Sequence, residues 1–447
     1  MSSGLTRQAL RRHRLGLTGP FVTQVVASMV ISAMVMTMWS TDAALTPAQR
    51  GQEPVATMVD LSQVFLGSSI YLAMLVVGVT MALAMAGQMR EVALLRTVGA
   101  SPGQIRRSAA AQAVAVSLPA ALVGFGLSIP AGAAWVALLH DRGLMPVTVS
   151  FRIEASVAFP VALGTALVTS ALAALIATVR VSRLRPGAAL VEVATGRRRV
   201  GRIRTVAGVV LLLASLVLSG VLARFDTENA GDASFFVLLS GCIGVGMTGP
   251  HLLRAMTHLL GPISGRGVMR AALDDLASMS RVLSGALVPA VLAVAFAVVK
   301  VGWHTTAAQT GADDSALDRW TDYAGTTLYC AFAAIAAINC WVTVGASRRR
   351  DYAVMQLAGA TRSALLRMTG VQAMIFTAVV ALVGGGIGAA TLVPMLDVTL
   401  GTLSPHIPMA TVILGLLGIG GVVGIGTLAP IAALTRRSPW EVVAVAA

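Results

Sequence analysis

The chain has 447 residues, of which 56% are hydrophobic and only 12% charged, with a mean hydropathy of +0.82. A soluble domain carries about 25% charged residues, so an ordinary soluble protein and a disordered one are both excluded. The net charge of +14, from 33 Lys and Arg against 19 Asp and Glu, would suggest nucleic acid in a soluble chain. Here the charges lie between long apolar runs, and membrane topology explains them without a nucleic-acid partner.

Uncharged stretches occur at 15–41, 61–89, 108–139, 155–179, 205–223, 233–253, 282–299, 323–347, 368–396 and 398–435. Crossing the hydrocarbon core takes roughly 20 apolar residues of helix, so an all-α polytopic membrane protein with ten transmembrane helices is expected. The first run is too long for a signal-peptide core and no A-x-A site comes after it, which makes it an anchor. Cys242, Cys330 and Cys340 all fall inside apolar runs without metal-ligand spacing and read as small packing residues. The linker 180–204 is the most basic stretch, with eight arginines and one glutamate. The last run must contain a turn near Ser404-Pro405-His406-Ile407-Pro408, because two prolines disfavour a continuous helix.

With the N-terminus in the cytoplasm, the inner segments hold 27 Lys and Arg with 6 Asp and Glu, and the outer segments 6 and 13. That partition satisfies the positive-inside rule and puts both termini in the cytoplasm. Trp39, Trp135, Trp303 and Trp320 fall at predicted outer helix ends, and Trp341 and Trp440 near the inner side, as an interfacial belt would place them.

Residues 89–113 align with 349–373 at a constant offset of 260 and share seven identities: Arg90/Arg350, Ala93/Ala353, Gly99/Gly359, Ala100/Ala360, Arg107/Arg367, Gln112/Gln372 and Ala113/Ala373. Both segments join a second helix to a third, so the first four and last four helices read as duplicated bundles of like orientation around an inserted pair, a 4+2+4 plan. The corresponding domains are 1–195, 196–278 and 279–447. Each bundle ends in a basic proline-containing segment, Arg180-Val-Ser-Arg-Leu-Arg-Pro-Gly and Thr435-Arg-Arg-Ser-Pro-Trp. In the first copy the second helix should continue through Arg90 and Glu91 to Val98 and stop at a left-handed Gly99. Ser101, Pro102 and Gln104 have capping-box spacing, which predicts a separate short helix at about 102–108. Gly359 and Thr361 repeat the stop and the cap, but Ala364 replaces the box partner, so the second cap should be the weaker.

The segment Arg90-Glu91-Val-Ala-Leu-Leu-Arg96-Thr-Val-Gly99-Ala100-Ser101-Pro-Gly-Gln104-Ile105 resembles the corresponding stretch of FtsX-like permeases, the membrane subunits of MacB/LolC/BceB-type ABC transporters. Its diverged second copy is Arg350-Asp351-Tyr-Ala-Val-Met-Gln356-Leu-Ala-Gly359-Ala360-Thr361-Arg-Ser-Ala-Leu365. The resemblance implies that 90–98 and 350–358 are stalks and that segments near 101–108 and 361–368 are coupling helices on cytoplasmic ATPases. It also implies two ATPase copies per chain binding ATP and magnesium, a bacterial cytoplasmic-membrane location, and a sensor kinase as a further candidate partner. Such permeases often carry a large extracellular domain, whereas loops 40–60 and 300–322 here have only 21 and 23 residues.

Lys300 is the only lysine and comes directly after Val299, so the chain contains no G-x-x-x-x-G-K-[ST] phosphate loop. Gly244-Val-Gly246-Met-Thr-Gly249 matches G-x-G-x-x-G inside an apolar span, where close helix packing explains it; Gly384/Gly388 and Gly420/Gly424 read the same way. No cluster with catalytic or metal-ligand spacing occurs, so no catalysis and no cofactor are expected in this chain. Lys300 is expected to snorkel at an outer helix end. Gln24 and Asn339 are expected to make interhelical hydrogen bonds. Binding a substrate is the alternative role for all three. The functional expectation is export or release of an amphipathic compound, such as an antimicrobial peptide, drug or lipid, by mechanical coupling to ATPases. The alternative is a non-transporting permease that relays ATPase motion to an outside or membrane partner.

Overall fold

A computed structural model describes residues 14–46, 55–183, 201–222, 224, 227–262, 265, 267–312 and 316–434. Among them the regular elements are helices: α1 (Arg14–Ala44), α2 (Val55–Gly87), α3 (Met89–Thr97), α4 (Pro102–Asp141), α5 (Ala155–Arg183), α6 (Arg202–Leu222), α7 (Thr227–Leu260), α8 (Val268–Thr310), α9 (Ala316–Ser347), α10 (Arg349–Leu357), α11 (Arg362–Leu400) and α12 (Met409–Leu434). Ten are long and apolar enough to cross a membrane, and α3 and α10 are the short exceptions. Hydrocarbon offers no partner to a backbone N–H or C=O, so a spanning segment must satisfy its own. Hence apolar runs become helices, and Pro119 and Pro130 sit inside α4 without ending it.

The chain divides into two compact units, Met1–Arg198 and Arg199–Ala447. In the first, α1 packs on α4, α2 and α5, and α5 also contacts α2 and α4. The second repeats the arrangement: α8 packs on α11 and α9, and α12 on α9 and α11. The pair α6 and α7 belongs to this unit, with α7 against α8 and α11.

Small residues set these approaches. A Cβ on Gly124 of α4 would lie 2.5 Å from the Val25 carbonyl oxygen of α1, and one on Gly384 of α11 would lie 3.0 Å from that of Val291 on α8. The two glycines are 260 residues apart, so the repeat register continues from the hairpins into the helices. Gly388 meets Val298, Gly244 meets Leu212, and Gly249 meets Ser284 just as closely. The pair at 420 and 424 departs from expectation: Gly420 finds only Thr377 Cγ2 at 3.9 Å, and Gly424 finds nothing within 4 Å. Their helix α12 is largely exposed along that stretch, so this motif packs no neighbour within its unit.

Other expectations are corrected. Trp341 is no interfacial anchor; it is buried edge-on against Phe376, with centroids 5.3 Å apart. Gly426 of α12 makes room for it, since a Cβ there would lie 3.1 Å from Trp341 Cβ. Cys242 and Cys340 are buried but Cys330 is exposed, on the outward face of α9. Helix α11 runs past Asp397 to Leu400 and ends at a left-handed Gly401, and the proline-containing turn comes next, as expected. Most of the basic linker, residues 184–200, lies outside the described residues, as do the segment beginning at Thr435 and Trp440.

Candidate functional site

The two repeat segments build two hairpins with the same parts. In the first, α2 ends at Gly87, Gln88 forms a one-residue break, and α3 begins at Met89. The stalk is therefore not an unbroken extension of the span. Gln88 N–H donates to the Met85 carbonyl at 3.0 Å and Val92 N–H to the Gln88 carbonyl at 3.1 Å, so the backbone stays bonded through the bend. The bend lets Ala93 join Met85, Ala109, Ala113 and Val116 in the core at the base of the bundle. Arg348 makes the corresponding break between α9 and α10, with φ −103° and ψ 10°.

Both stalks end alike. Ala100 N–H donates to the Leu95 carbonyl and Ala360 N–H to the Met355 carbonyl, each at 2.9 Å, which is the six-to-one bond of a Schellman stop. Gly99 and Gly359 adopt the positive φ this stop requires, a conformation that costs a residue bearing Cβ. Ser101 then caps the next helix through both bonds of the box: Gln104 N–H donates to Ser101 Oγ at 3.2 Å, and Ser101 N–H to Gln104 Oε1 at 2.9 Å. Thr361 makes one such bond, accepting from Ala364 N–H at 3.2 Å, and its hydroxyl also meets Ser363 Oγ.

The caps do not open separate short helices. Ser101 begins the 40-residue α4 and Thr361 the 39-residue α11, each running straight on into a span. Ser108, Ala109, Ala110 and Ala111 come after Arg107 with nothing to break a helix, and alanine is the strongest helix former. The candidate coupling elements are therefore the first turns of transmembrane helices, rigidly continuous with them.

One side of each hairpin is buried and the tip is not. Ile105 and Leu365 occupy matching inward positions, as do Ala93 and Ala353. Leu94, Leu95, Val354 and Leu357 are exposed, and Val98 is 86% exposed. Ser101, Pro102, Gly103 and Gln104 are exposed as well, and so are Thr361, Arg362 and Ser363. Ala100, Ala360, Glu91 and Gln356 are half-buried and Asp351 is exposed. The side chains of Arg90, Arg96 and Arg350 lie outside the described residues.

Sequence reasoning missed a polar cluster at the foot of the second stalk. Arg348 Nη1 donates to Asp275 Oδ1 of α8, Arg348 Nη2 to Ser278 Oγ at 2.6 Å, and Gln372 Nε2 of α11 to Asp275 Oδ2 at 2.8 Å. Tyr352 packs beside it on Ala272 and Leu365. Burial first and the Asp275 carboxylate next push the Tyr352 phenol up to about 12. The available signal was Asp275 itself, one of six carboxylates in the inner segments.

The three candidate substrate-path residues are not brought together. Gln24 Nε2 donates to Ser170 Oγ at 2.8 Å, an interhelical bond between α1 and α5. Asn339 does not make the expected bond, and its Nδ2 has no partner among the described residues. Near the C-terminal end of α8, Lys300 Nζ pairs with Asp322 Oδ1 of α9 at 2.8 Å, while His304 Nε2 meets Asp322 Oδ2 at 3.0 Å.

The family model for the C-terminal domain of FtsX-like permeases matches residues 63–186 and 326–439, more than half of the chain. The chain belongs to the FtsX-like permease family. Each matched region spans one hairpin and the helices on either side of it. No curated protein matches the chain significantly. Membership makes this permease a multi-pass membrane protein of the kind that serves as an ABC transporter membrane subunit. FtsX-like permeases are generally not enzymes and usually partner with ABC ATPases.

Proposed function

We propose that this permease exports or releases an amphipathic, membrane-partitioned compound, driven by two cytoplasmic ATPases that dock on the hairpins around Gly99 and Gly359. The observation carrying the reading is that one chain holds two hairpins of matching stop and cap geometry, each continuous with a transmembrane helix. Motion imposed on Ser101 or Thr361 reaches the bilayer through α4 or α11 without an intervening joint. The exposed leucines and valines of α3 and α10 offer the apolar contact that a docking surface needs beside polar capping residues. The positive-inside partition places both hairpins in the cytoplasm.

At the opposite ends of the helices the connections are short. The one between α8 and α9 is 311–315 and the one between α11 and α12 is 401–408. Connections of that size leave no room for a folded domain, which favours work on a compound inside the bilayer over recruitment of a large outside partner. ATP and magnesium belong to the ATPase chains, and a sensor kinase encoded nearby would add a regulatory partner.

The test is co-purification with the ATPase encoded beside this permease. Native mass spectrometry should find one permease chain with two ATPases, and candidate amphipathic compounds should stimulate ATP hydrolysis in nanodiscs. Two permease chains per two ATPases, or an ATPase that does not bind, would sink the reading.

A further inference from the structure

The two hairpins share their tips but not their foundations. At the break before the second stalk, Arg348 is tied to Asp275 and Ser278 of α8, and Asp275 also holds Gln372 of α11. The Asp275 side chain is only 10% exposed, so this pair sits where charge attraction is weakly screened. Tyr352, on the first turn of α10, is 3% exposed and packs into the same corner. At the far end of α8, Lys300 and His304 share Asp322 of α9. The helices α8 and α9 are thus tied by charge at both ends.

In the first module the positions of Arg348 and Gln372 are held by Gln88 and Gln112. Neither is charged, and Gln112 Oε1 has no partner among the described residues. No Asp or Glu precedes Asp42 in the chain, so α1 cannot supply a counterpart of Asp275 near its start. Among the described residues the bend at Gln88 is held by backbone bonds, by Ala93 in the apolar core and by the packing of α3 on α5, and the bend at Arg348 is clamped by side chains to two other helices.

We propose that Asp275 is a positioning residue for the second hairpin: by binding Arg348 and Gln372 together it makes α10 move as one body with α8 and α11. Taken with the coupling reading, on which its functional meaning rests, motion of the second ATPase reaches α8 through the clamped stalk as well as passing directly into α11.

The experiment uses the full chain alone in nanodiscs, with Cys242, Cys330 and Cys340 replaced by alanine. Spin labels at Val354 and Val282 report α10 against α8, and labels at Leu94 and Val22 report α3 against α1. The expected result is a narrow distance distribution for the second hairpin in the unaltered chain. Arg348→Gln, which installs the first module's residue, and Asp275→Asn should each broaden the α10 distribution at least twofold and leave that of α3 unchanged. Lys300→Gln breaks the charge pair at the opposite end of the same helix and should leave the α10 distribution narrow. A broad α10 distribution in the unaltered chain, no broadening in either variant, or equal broadening in Lys300→Gln would overturn the proposal. No ATPase is present, so these distances stand or fall separately from the ATPase-binding test.

Discussion

Gly99 and Gly359, 260 residues apart, hold φ angles of 99° and 98°, and the capping residues Ser101 and Thr361 hold φ of −73° in both copies with ψ of 153° and 156°. The helix stop has therefore been kept to within a degree while the side chains around it diverged. No atom lies within 4 Å of where a Cβ would stand on either glycine, so a substitution there meets backbone strain and no clash. Gly99→Val should cost about 1–3 kcal/mol in the local conformation and lower ATPase binding or stimulated hydrolysis at unchanged membrane abundance. Activity equal to the unaltered protein would make the hairpin a mere connector.

The caps differ by one hydrogen bond, and that difference is measurable. Losing a cap costs about 0.5–2 kcal/mol. Ser101→Ala and Thr361→Ala each remove one side-chain to backbone bond, but in the first the residue 101 N–H still donates to Gln104 Oε1. Amide exchange should accelerate at Gln104 in Ser101→Ala and at Ala364 in Thr361→Ala, and the first hairpin, which keeps its second bond, should lose less of its cap. Gln104→Ala should bring the first hairpin to the level of the second.

Tyr352 supplies a pH signature. An ordinary tyrosine ionises near pH 10, and burial with the Asp275 carboxylate raises this one to about 12. Below pH 10 the phenol is neutral in folded and unfolded chains alike, and it contributes no pH dependence. Between pH 10 and 12 the unfolded chain loses this proton first, so stability falls with rising pH across that window. In ultraviolet titration at 295 nm, Tyr352→Phe should delete one late-ionising phenol and flatten the alkaline loss of stability. An unchanged titration would refute the placement of Tyr352.

Helix contacts distinguish the glycine motifs. Gly384→Val places a branched side chain against the Val291 carbonyl and Val294, an overpacking that costs about 1–3 kcal/mol. Gly420→Ala meets nothing nearer than 3.9 Å and should leave the melting temperature within experimental scatter. Equal destabilisation by the two would show that α12 packs closely after all.

Topology is tested by labelling. In a cysteine-free background, a cysteine at the exposed Ser404 should react with an impermeant maleimide on intact cells, and one at the exposed Gly103 should react only after permeabilisation. Labelling of Gly103 from outside would reverse the orientation.

Ten spans, their duplication and both cap sites are legible in the linear chain because each rests on local rules. An apolar run of sufficient length must become a helix in lipid, and in the two charged repeat segments the glycine with Ser or Thr two residues on marks a stop and a new start. The length of the capped helix is not legible in the same way, since nothing in the spacing says that Ser101 opens α4 itself; the unbroken helix-forming stretch after Gln104 decides that. The partners of charged and polar side chains are beyond the reach of sequence. Arg348 and Asp275 are 73 residues apart and Lys300 and Asp322 lie on different helices, and only the packing angle of α8 brings them together. The same holds for Trp341, which resembles an interfacial residue by position but is buried because Gly426 leaves it room. Local chemistry determined where the helices begin, end and repeat; which residues touch depended on how the helices cross, because contact between distant segments is a property of packing and not of order along the chain.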